Sequence, residues 1–161
     1  QNQLSLIDDI ASLKIDKLRK STFIFHLNQL DLNERGAIKE KLEGKNFDYL
    51  LIETIMSDKR KALIYKLTNK SIILSSSDLN PALELSLYAK NRIYLYKNAQ
   101  VDKLFLDKKF FIQSFEDFKS QNIEQSNSLE DDLLTKNQDI IYDIFDGERA
   151  IERYIEVIKE V

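Results

Sequence analysis

The residues best suited to binding or catalysis lie in one short segment, Ser75–Glu84, which reads SSSDLNPALE. Three consecutive hydroxyl side chains and an aspartate follow an apolar run, and Pro81 then opens a predicted helix. Free N–H groups, the positive end of the helix dipole and the hydroxyls can together hold a phosphate. A glutamate one turn into that helix can accept hydrogen bonds from ribose hydroxyls. The predicted nucleotide-binding residues are therefore Ser75, Ser76, Ser77, Asp78, Asn80 and Glu84.

The same segment also has a purely structural interpretation. Serine, aspartate and asparagine are common helix N-caps, and proline is favoured at the first helical position. The chain has only three glycines and no Gly-rich phosphate loop of the Rossmann or Walker type. A capped helix start therefore remains the alternative to a ligand site.

Other reactive residue types are few. His26 is the single histidine, and it lies in an apolar strand-like block. One histidine cannot build a His-rich metal site, and the lack of cysteine excludes thiolate catalysis and Cys-type zinc sites. Glu53 follows the second predicted strand and could approach Asp78 at the carboxyl edge of a parallel sheet. We predict no metal and no cofactor.

Composition narrows the class of protein. The 161 residues carry 24 Lys+Arg against 27 Asp+Glu, without long runs of like charge. This pattern does not indicate a nucleic-acid partner or a basic membrane patch. No stretch approaches the roughly 20 apolar residues of a membrane span. We expect a cytoplasmic protein, and the first residue, Gln1, suggests a piece of something longer.

The elements that would position the candidate site alternate along the chain. Five apolar blocks have strand length, and most are apolar at consecutive positions: STFIFHL, FDYLLIE, KSIIL, NRIYLYK and KKFFIQSF. Such strands are usual in parallel sheets covered on both faces. The sequence predicts a three-layer, Rossmann-like α/β domain with about five mainly parallel strands. Ile72, Ile73 and Leu74 should form a central strand between those containing Leu50–Ile52 and Ile93–Leu95.

Helical spacing separates the predicted strands. Apolar residues fall on one face in two of these segments, Leu32, Ala37, Ile38 and Leu42 in the first and Ala62, Leu63 and Leu67 in the second. Gly44 is the expected end of the first helix, and Ser57 is the expected N-cap of the second. Leu83 and Leu87 should share the buried face of the helix that Pro81 opens.

We expect residues 1–161 to form a single α/β domain with distinct ends. Residues 1–20 form a leading helix, 21–120 the βα core, 121–137 an exposed connection with a helical portion near Leu133, and 138–161 a C-terminal helical segment. The terminal helix is predicted from its apolar stripe, Ile151, Tyr154, Ile155 and Ile158.

The order of elements resembles the C-terminal half of a GT-B-fold glycosyltransferase, including the CDP-glycerol glycerophosphotransferase group. The resemblance rests on IILSSSDLNPALELSLYAKNRIYLY, where a Ser-rich turn precedes a helix with a glutamate, and on the late FDGERAIERYIEVI. It implies that Glu84 holds the ribose of a nucleotide-sugar donor. It also implies that an N-terminal acceptor-binding domain, or a protein partner, would complete a transferase.

A second resemblance is to nucleoside deoxyribosyltransferase and TIR-like families. The stretch SDLNPALELSLYA is similar to their Asp/Asn-rich turn followed by a helical glutamate, although Ser86 stands where their motif has a glycine. This resemblance implies a catalytic Glu84 that attacks an anomeric carbon. The sequence thus leads to a nucleotide-sugar-binding domain, with an N-glycosidase-like enzyme or a non-catalytic interaction domain as alternatives.

Overall fold

The structure, a computed structural model, describes residues 2–74, 81–97, 99, 110–121 and 128–144. These residues divide into two compact units, one ending at Ile55 and the other beginning at Met56. Each unit contains parallel strands and helices of its own. A single domain spanning residues 1–161 stays a prediction.

The first unit is built around two parallel strands. In chain order its elements are α1 (Asn2–Ala11), α2 (Ile15–Arg19), β1 (Thr22–His26), α3 (Leu32–Leu42) and β2 (Asp48–Ile52). The register runs from Thr22 opposite Asp48 to His26 opposite Ile52. Helix α3 connects the two strands in a βαβ arrangement, and it also contacts α1.

The second unit is built around three parallel strands in the order β3-β4-β5. Its elements are α4 (Asp58–Leu67), β3 (Lys70–Ile73), α5 (Pro81–Tyr88), β4 (Arg92–Leu95), β5 (Gln113–Ser114), α6 (Phe115–Ser120) and α7 (Ser128–Ile144). Strand β3 pairs with β4 from Lys70 opposite Arg92, and β4 pairs with β5 from Tyr94 opposite Gln113. All three strands therefore have their carboxyl ends at one edge.

The fold class is α/β, as the sequence predicts. Five parallel strands lie in the described part of the chain, but they form sheets of two and three strands. A single five-stranded Rossmann-like sheet is therefore not confirmed. Each sheet has the strand–helix alternation that the apolar blocks indicate.

The predicted position of the third strand is wrong. Strand β3 lies at the end of its sheet, whereas β2 pairs with β1. The central strand of the second sheet is β4, with Ile93 and Tyr94 fully buried. A strand at the end of a sheet can also be apolar at consecutive positions if a helix packs on it. Here Ile73 packs with Leu83 and Leu87 of α5. The apolar run in KSIIL therefore indicates that a helix packs on the strand. It does not indicate a central position in the sheet.

In two helices, fewer apolar residues are buried than their spacing predicts. In α3 only Ile38 and Leu42 are buried, whereas Leu32 is 83% exposed. In α4 only Ala62 is buried, and Leu67 is 77% exposed. The main contacts of these helices are with other helices, α3 with α1 and α4 with α5, and they bury only part of each apolar stripe.

The chain ends also differ from expectation. Residues 1–20 form two helices rather than one, because Ser12 Oγ donates to the Asp9 carbonyl and the intervening turn buries Leu13. In the connection predicted over 121–137, the helical portion near Leu133 is confirmed as the start of α7, but this helix buries Leu134 and Asn137 and so is not simply exposed. Residues 145–161, which carry the predicted terminal stripe, lie outside the described residues.

The predicted helix boundaries inside the chain are confirmed. Ser57 caps α4 by accepting a hydrogen bond from the Arg60 N–H. Gly44 adopts a φ of 74° just after α3, which is the left-handed conformation that glycine tolerates best. Pro81 is the first residue of α5.

The core of the second unit lies on both sides of β4. One cluster joins Leu83, Leu87 and Tyr88 of α5 to Ile93 of β4 and Ile141 of α7. On the other side, the neighbouring aromatic residues Tyr94 and Tyr96 contact Phe118 and Phe115 of α6 at ring-centroid distances of 5.2 and 5.1 Å. Both tyrosines are buried and belong to the core.

Candidate functional site

Helix α5 places Glu84 in its first turn. The side chain is half-buried, and this burial raises the pKa of the carboxyl group above its ordinary value. Leu83 and Leu87, on the buried face of the same helix, pack into the core. The position one turn into the helix is therefore confirmed, whereas a role in binding stays a prediction.

The other predicted site residues lie outside the described part of the chain. Ser75, Ser76, Ser77, Asp78 and Asn80 belong to the segment between β3 and α5. The structure thus gives no geometry that joins these residues to Glu84.

A buried polar cluster fixes α5 against β3 and the end of α4. Ser86 Oγ donates to the Ala82 carbonyl at 2.6 Å and lies 2.8 Å from Ser71 Oγ of β3. Asn91 Nδ2 donates to the Tyr65 carbonyl at 3.1 Å and lies 3.3 Å from Ser71 Oγ. Ser86 is fully buried and faces the sheet, so the hydroxyl that replaces the motif glycine bonds within the protein.

A cavity of about 400 Å³, wide open to solvent, lies at the carboxyl ends of β4 and β5. Its apolar walls come from Leu95, Ala99, Ile112 and Phe115. Ligands of open parallel α/β sheets bind outside the carboxyl ends of the strands. The volume falls within the range of about 300–1,000 Å³ that small-molecule sites occupy.

Polar residues at this cavity already make contacts within the protein. Ser114 and Asp117 form a capping box that starts α6, and the Ser114 N–H lowers the pKa of Asp117 together with the Ser114 hydroxyl. Glu116 is paired with Lys119 at 2.6 Å. Lys97 contributes a cation beside the Tyr96 ring, 5.1 Å from its centroid.

Gln113, another residue that lines the cavity, has a side-chain acceptor without a donor in the described part of the chain. Its Oε1 atom is buried and has no hydrogen-bond partner among the described residues. Strand pairing with Tyr94 fixes the Gln113 backbone, and the residue is one of those that line the cavity. A buried acceptor without a donor costs free energy, about 1–3 kcal/mol.

The amino edge of the same sheet is closed by charges. Arg92 begins β4 and forms an ion pair with Glu130 of α7 at 2.5 Å, with only 10% and 18% of the two side chains exposed. Lys70 is adjacent, and burial together with the Arg92 charge lowers its pKa. Glu130 is therefore a largely buried partner of Arg92.

The carboxyl edge of the two-stranded sheet is closed by one arginine. Arg35 of α3 donates from Nε to the Leu30 carbonyl at 2.8 Å, and from its two terminal nitrogens to the Glu53 and Asn28 carbonyls at 3.1 and 3.2 Å. The Glu53 carboxylate pairs with Lys39 at 2.6 Å. The predicted approach of Glu53 to Asp78 stays untested, since Asp78 is outside the described residues.

His26 lies at the end of β1 in the same unit. It is half-buried, and burial lowers its pKa below the ordinary value. A neutral imidazole in a strand fits the structural interpretation better than a charged binding group.

A second cavity of about 190 Å³ lies among α4, α5 and α7, beside Tyr65, Leu85, Tyr88 and Gln138. It is smaller than a nucleotide site requires. Gln138 uses its side-chain amide there to donate to the Tyr88 carbonyl at 2.7 Å, which makes this contact a structural one.

Neither a metal-binding cluster nor a membrane-spanning helix is present among the described residues. No group of three or more His, Cys, Asp or Glu side chains in that part of the chain is placed to hold a metal ion. Among the helices that the structure describes, none is long and apolar enough to cross a membrane.

Comparison with protein-family models, with curated proteins and with solved structures gave no match to this chain. The functional argument therefore rests on the residues and geometry of the chain itself.

The sequence interpretation missed the cavity residues. Gln113 lies near the end of KKFFIQSF, which was expected to be a full strand, whereas β5 spans only Gln113–Ser114. A polar side chain that follows an apolar run at a strand end was the available signal. The same signal, a polar stretch after an apolar strand, is stronger at Ser75–Asn80 because of its three serines.

Proposed function

We propose that this chain binds a nucleotide or nucleotide-sugar at the carboxyl edge of the β3-β4-β5 sheet, as the donor-binding domain of a glycosyltransferase-type protein. The observation that carries the proposal is the cavity of about 400 Å³ at the ends of β4 and β5. Its apolar walls suit a base or a sugar ring, and Lys97 supplies a positive charge for a phosphate.

The predicted Ser75–Asn80 segment supports the same edge from the neighbouring strand. It follows the carboxyl end of β3, and β3 pairs directly with β4. Glu84 follows in the first turn of α5. The sequence signal and the cavity therefore belong to adjacent parallel strands.

Thermal denaturation of the full chain with CDP, UDP, GDP, a CMP-sugar and NAD tests this function. A ligand at about 100 times its Kd stabilises the native state by about 2.7 kcal/mol, which for this chain length raises Tm by roughly 5–10 °C. Lys97→Ala should reduce the shift, and Lys136→Ala on the exposed side of α7 is the matched control. No shift with any ligand would refute the proposal and favour an interaction domain.

An N-glycosidase-like activity is a second candidate because burial raises the pKa of Glu84. A carboxylate of raised pKa is a stronger base and nucleophile once it is ionised. Release of free base from NAD or a nucleoside, followed by chromatography, measures this activity. Glu84→Gln should abolish release while leaving binding intact. If Glu84 instead holds the ribose, the same substitution should weaken binding by about 1–3 kcal/mol.

A further inference from the structure

We infer that two copies of this chain associate through oppositely charged faces of α4 and α7. Both helices belong to the second unit, and both contact α5. Neither face lines the cavity of about 400 Å³ at the edge of the sheet. The inference therefore adds a protein partner, a second copy of the chain, and does not rest on nucleotide binding.

The basic face of α4 mixes cations with leucines. Positions i, i+4, i+7 and i+8 fall on one side of a helix, and in α4 they are Lys59, Leu63, Lys66 and Leu67. All four residues are exposed, Leu67 to 77%. The other side of the helix buries Ala62. The two neighbouring leucines form apolar surface that a partner can remove from water.

The acidic face of α7 is the counterpart of this surface. Asp132, Asp139 and Asp143 occupy positions i, i+7 and i+11, so they share one side of the helix, and all three are exposed. Leu134 and Ile141 lie on the buried side. Helix α4 carries four cations and one carboxylate, whereas α7 carries five carboxylates and one cation. Opposite potentials of this kind attract two surfaces and fix their register.

The two faces match in the spacing of their charges as well as in sign. Lys59 and Lys66 are seven residues apart, and so are Asp132 and Asp139. Seven residues of an α-helix span about 10 Å. Both cations of one copy can therefore pair with both carboxylates of the other copy at the same time.

The exposed leucines favour an antiparallel arrangement of the two helices. If Lys66 faces Asp132, Leu67 lies towards Leu129, which is 67% exposed. Parallel helices would place Leu67 towards Asp143, where apolar surface would desolvate a charge. Each copy presents both faces, so a two-fold arrangement makes the contact twice. Because exposed ion pairs are individually weak, we expect a micromolar dimer that salt dissociates.

Sedimentation equilibrium of the full chain tests the inference. At low salt we expect the mass of two chains, and at about 0.5 M salt, where screening leaves a range of roughly 4 Å, the mass of one chain. Lys59→Glu with Lys66→Glu should weaken dimerisation at least about tenfold, because like charges would then face each other. Lys14→Glu with Arg19→Glu, at exposed positions of the first unit, changes the net charge equally and should leave the dimer in place.

A mixture of two variants gives the sharpest readout. Asp132→Lys with Asp139→Lys should also be monomeric alone. Mixed with the Lys59→Glu, Lys66→Glu variant, it should restore the dimer, because the new glutamates meet the new lysines and the second contact stays native. Damage to the fold in either variant could not produce this rescue.

The outcomes decide the inference in either direction. A wild-type chain that is monomeric at low salt, a dimer that salt does not weaken, or a mixture that fails to associate would overturn it. A monomeric chain that co-sediments with phosphatidylserine vesicles would also overturn it, and would assign the α4 face to an anionic membrane surface.

Discussion

The carboxyl edges of the two sheets differ in whether their polar groups find partners within the protein. At the β1-β2 edge, Arg35 satisfies three backbone carbonyls, and Lys39 pairs with Glu53. At the β4-β5 edge there is an open cavity of about 400 Å³, and the buried Oε1 atom of the nearby Gln113 has no hydrogen-bond partner among the described residues. The same βα layout thus gives one edge whose polar groups are satisfied within the protein and one that leaves room for a ligand.

The difference separates side chains that maintain the fold from those available to bind. A closed edge uses its polar atoms for stability, since each unpaired buried group is costly. The edge that keeps Gln113 Oε1 unpaired is less stable than it could be, because a buried acceptor without a donor costs free energy. Substitutions at the two edges should therefore have opposite effects on the free energy of unfolding.

The largest expected effect is at the closed edge. Arg35→Ala removes the donors of three backbone carbonyls and should lower the free energy of unfolding by about 2–4 kcal/mol in urea denaturation. Arg35→Lys should recover little, because one ammonium group cannot span the three carbonyls. Arg60→Ala, at an exposed position, is the control, and an equal loss in that variant would contradict a special role for Arg35.

The next effect is at the amino edge of the second sheet. Glu130→Gln leaves the nearly buried Arg92 without its charged partner and should lower the free energy of unfolding by about 1–3 kcal/mol. Glu116→Gln should change it by less than about 0.5 kcal/mol, since the Glu116–Lys119 pair is on the surface. Equal effects in the two variants would show that burial of the ion pair is irrelevant.

A smaller effect of opposite sign is expected at the open edge. Gln113→Met replaces an unpaired buried amide with an apolar side chain of similar length. Without ligand, it should leave the protein as stable or raise the free energy of unfolding by about 1 kcal/mol. A clear loss of stability would mean that the Gln113 side chain is part of the fold rather than of a ligand site.

The smallest effect depends on pH. Burial raises the pKa of Glu84 in the folded chain above its unfolded value, so the ionised form is disfavoured by folding. Stability from the protonated group is fully present below the unfolded pKa, near 4.5, and is lost as pH rises through the folded pKa. Glu84→Gln should therefore have a higher Tm than wild type at pH 7, and the gap should narrow towards pH 4. A difference in Tm between the variant and wild type that does not change with pH would show that burial of the ionised Glu84 carboxylate is not its cause.

Local features of the fold could be predicted from the sequence, whereas the pairing of strands could not. Ser57, Gly44 and Pro81 mark helix ends through hydrogen bonding and backbone geometry that depend on a few neighbouring residues. The end position of β3 depends on which strands meet, and the consecutive apolar residues Ile72 and Ile73 do not encode that. The pattern of apolar residues thus predicted the α/β class correctly, but it predicted the wrong position of β3 in the sheet.

The candidate site was predictable only in part, for a related reason. Glu84 could be placed one turn into α5 because Pro81 fixes where that helix starts. The cavity arises where β4 and β5 pair, and Gln113 is 18 residues beyond the end of β4 in the chain. No local pattern reports that such distant residues share one cavity.

The most direct test of the open and closed edges is amide mapping by NMR during titration of the full chain with CDP and, separately, ADP. Binding at the open edge predicts saturable shifts at the amides of Leu95, Gln113 and Phe115, around the cavity. The amides of Asn28 and Glu53, whose carbonyls Arg35 already engages, should not shift. Shifts confined to Asn28 and Glu53, or no shifts at Leu95, Gln113 and Phe115 at saturating nucleotide, would contradict this account.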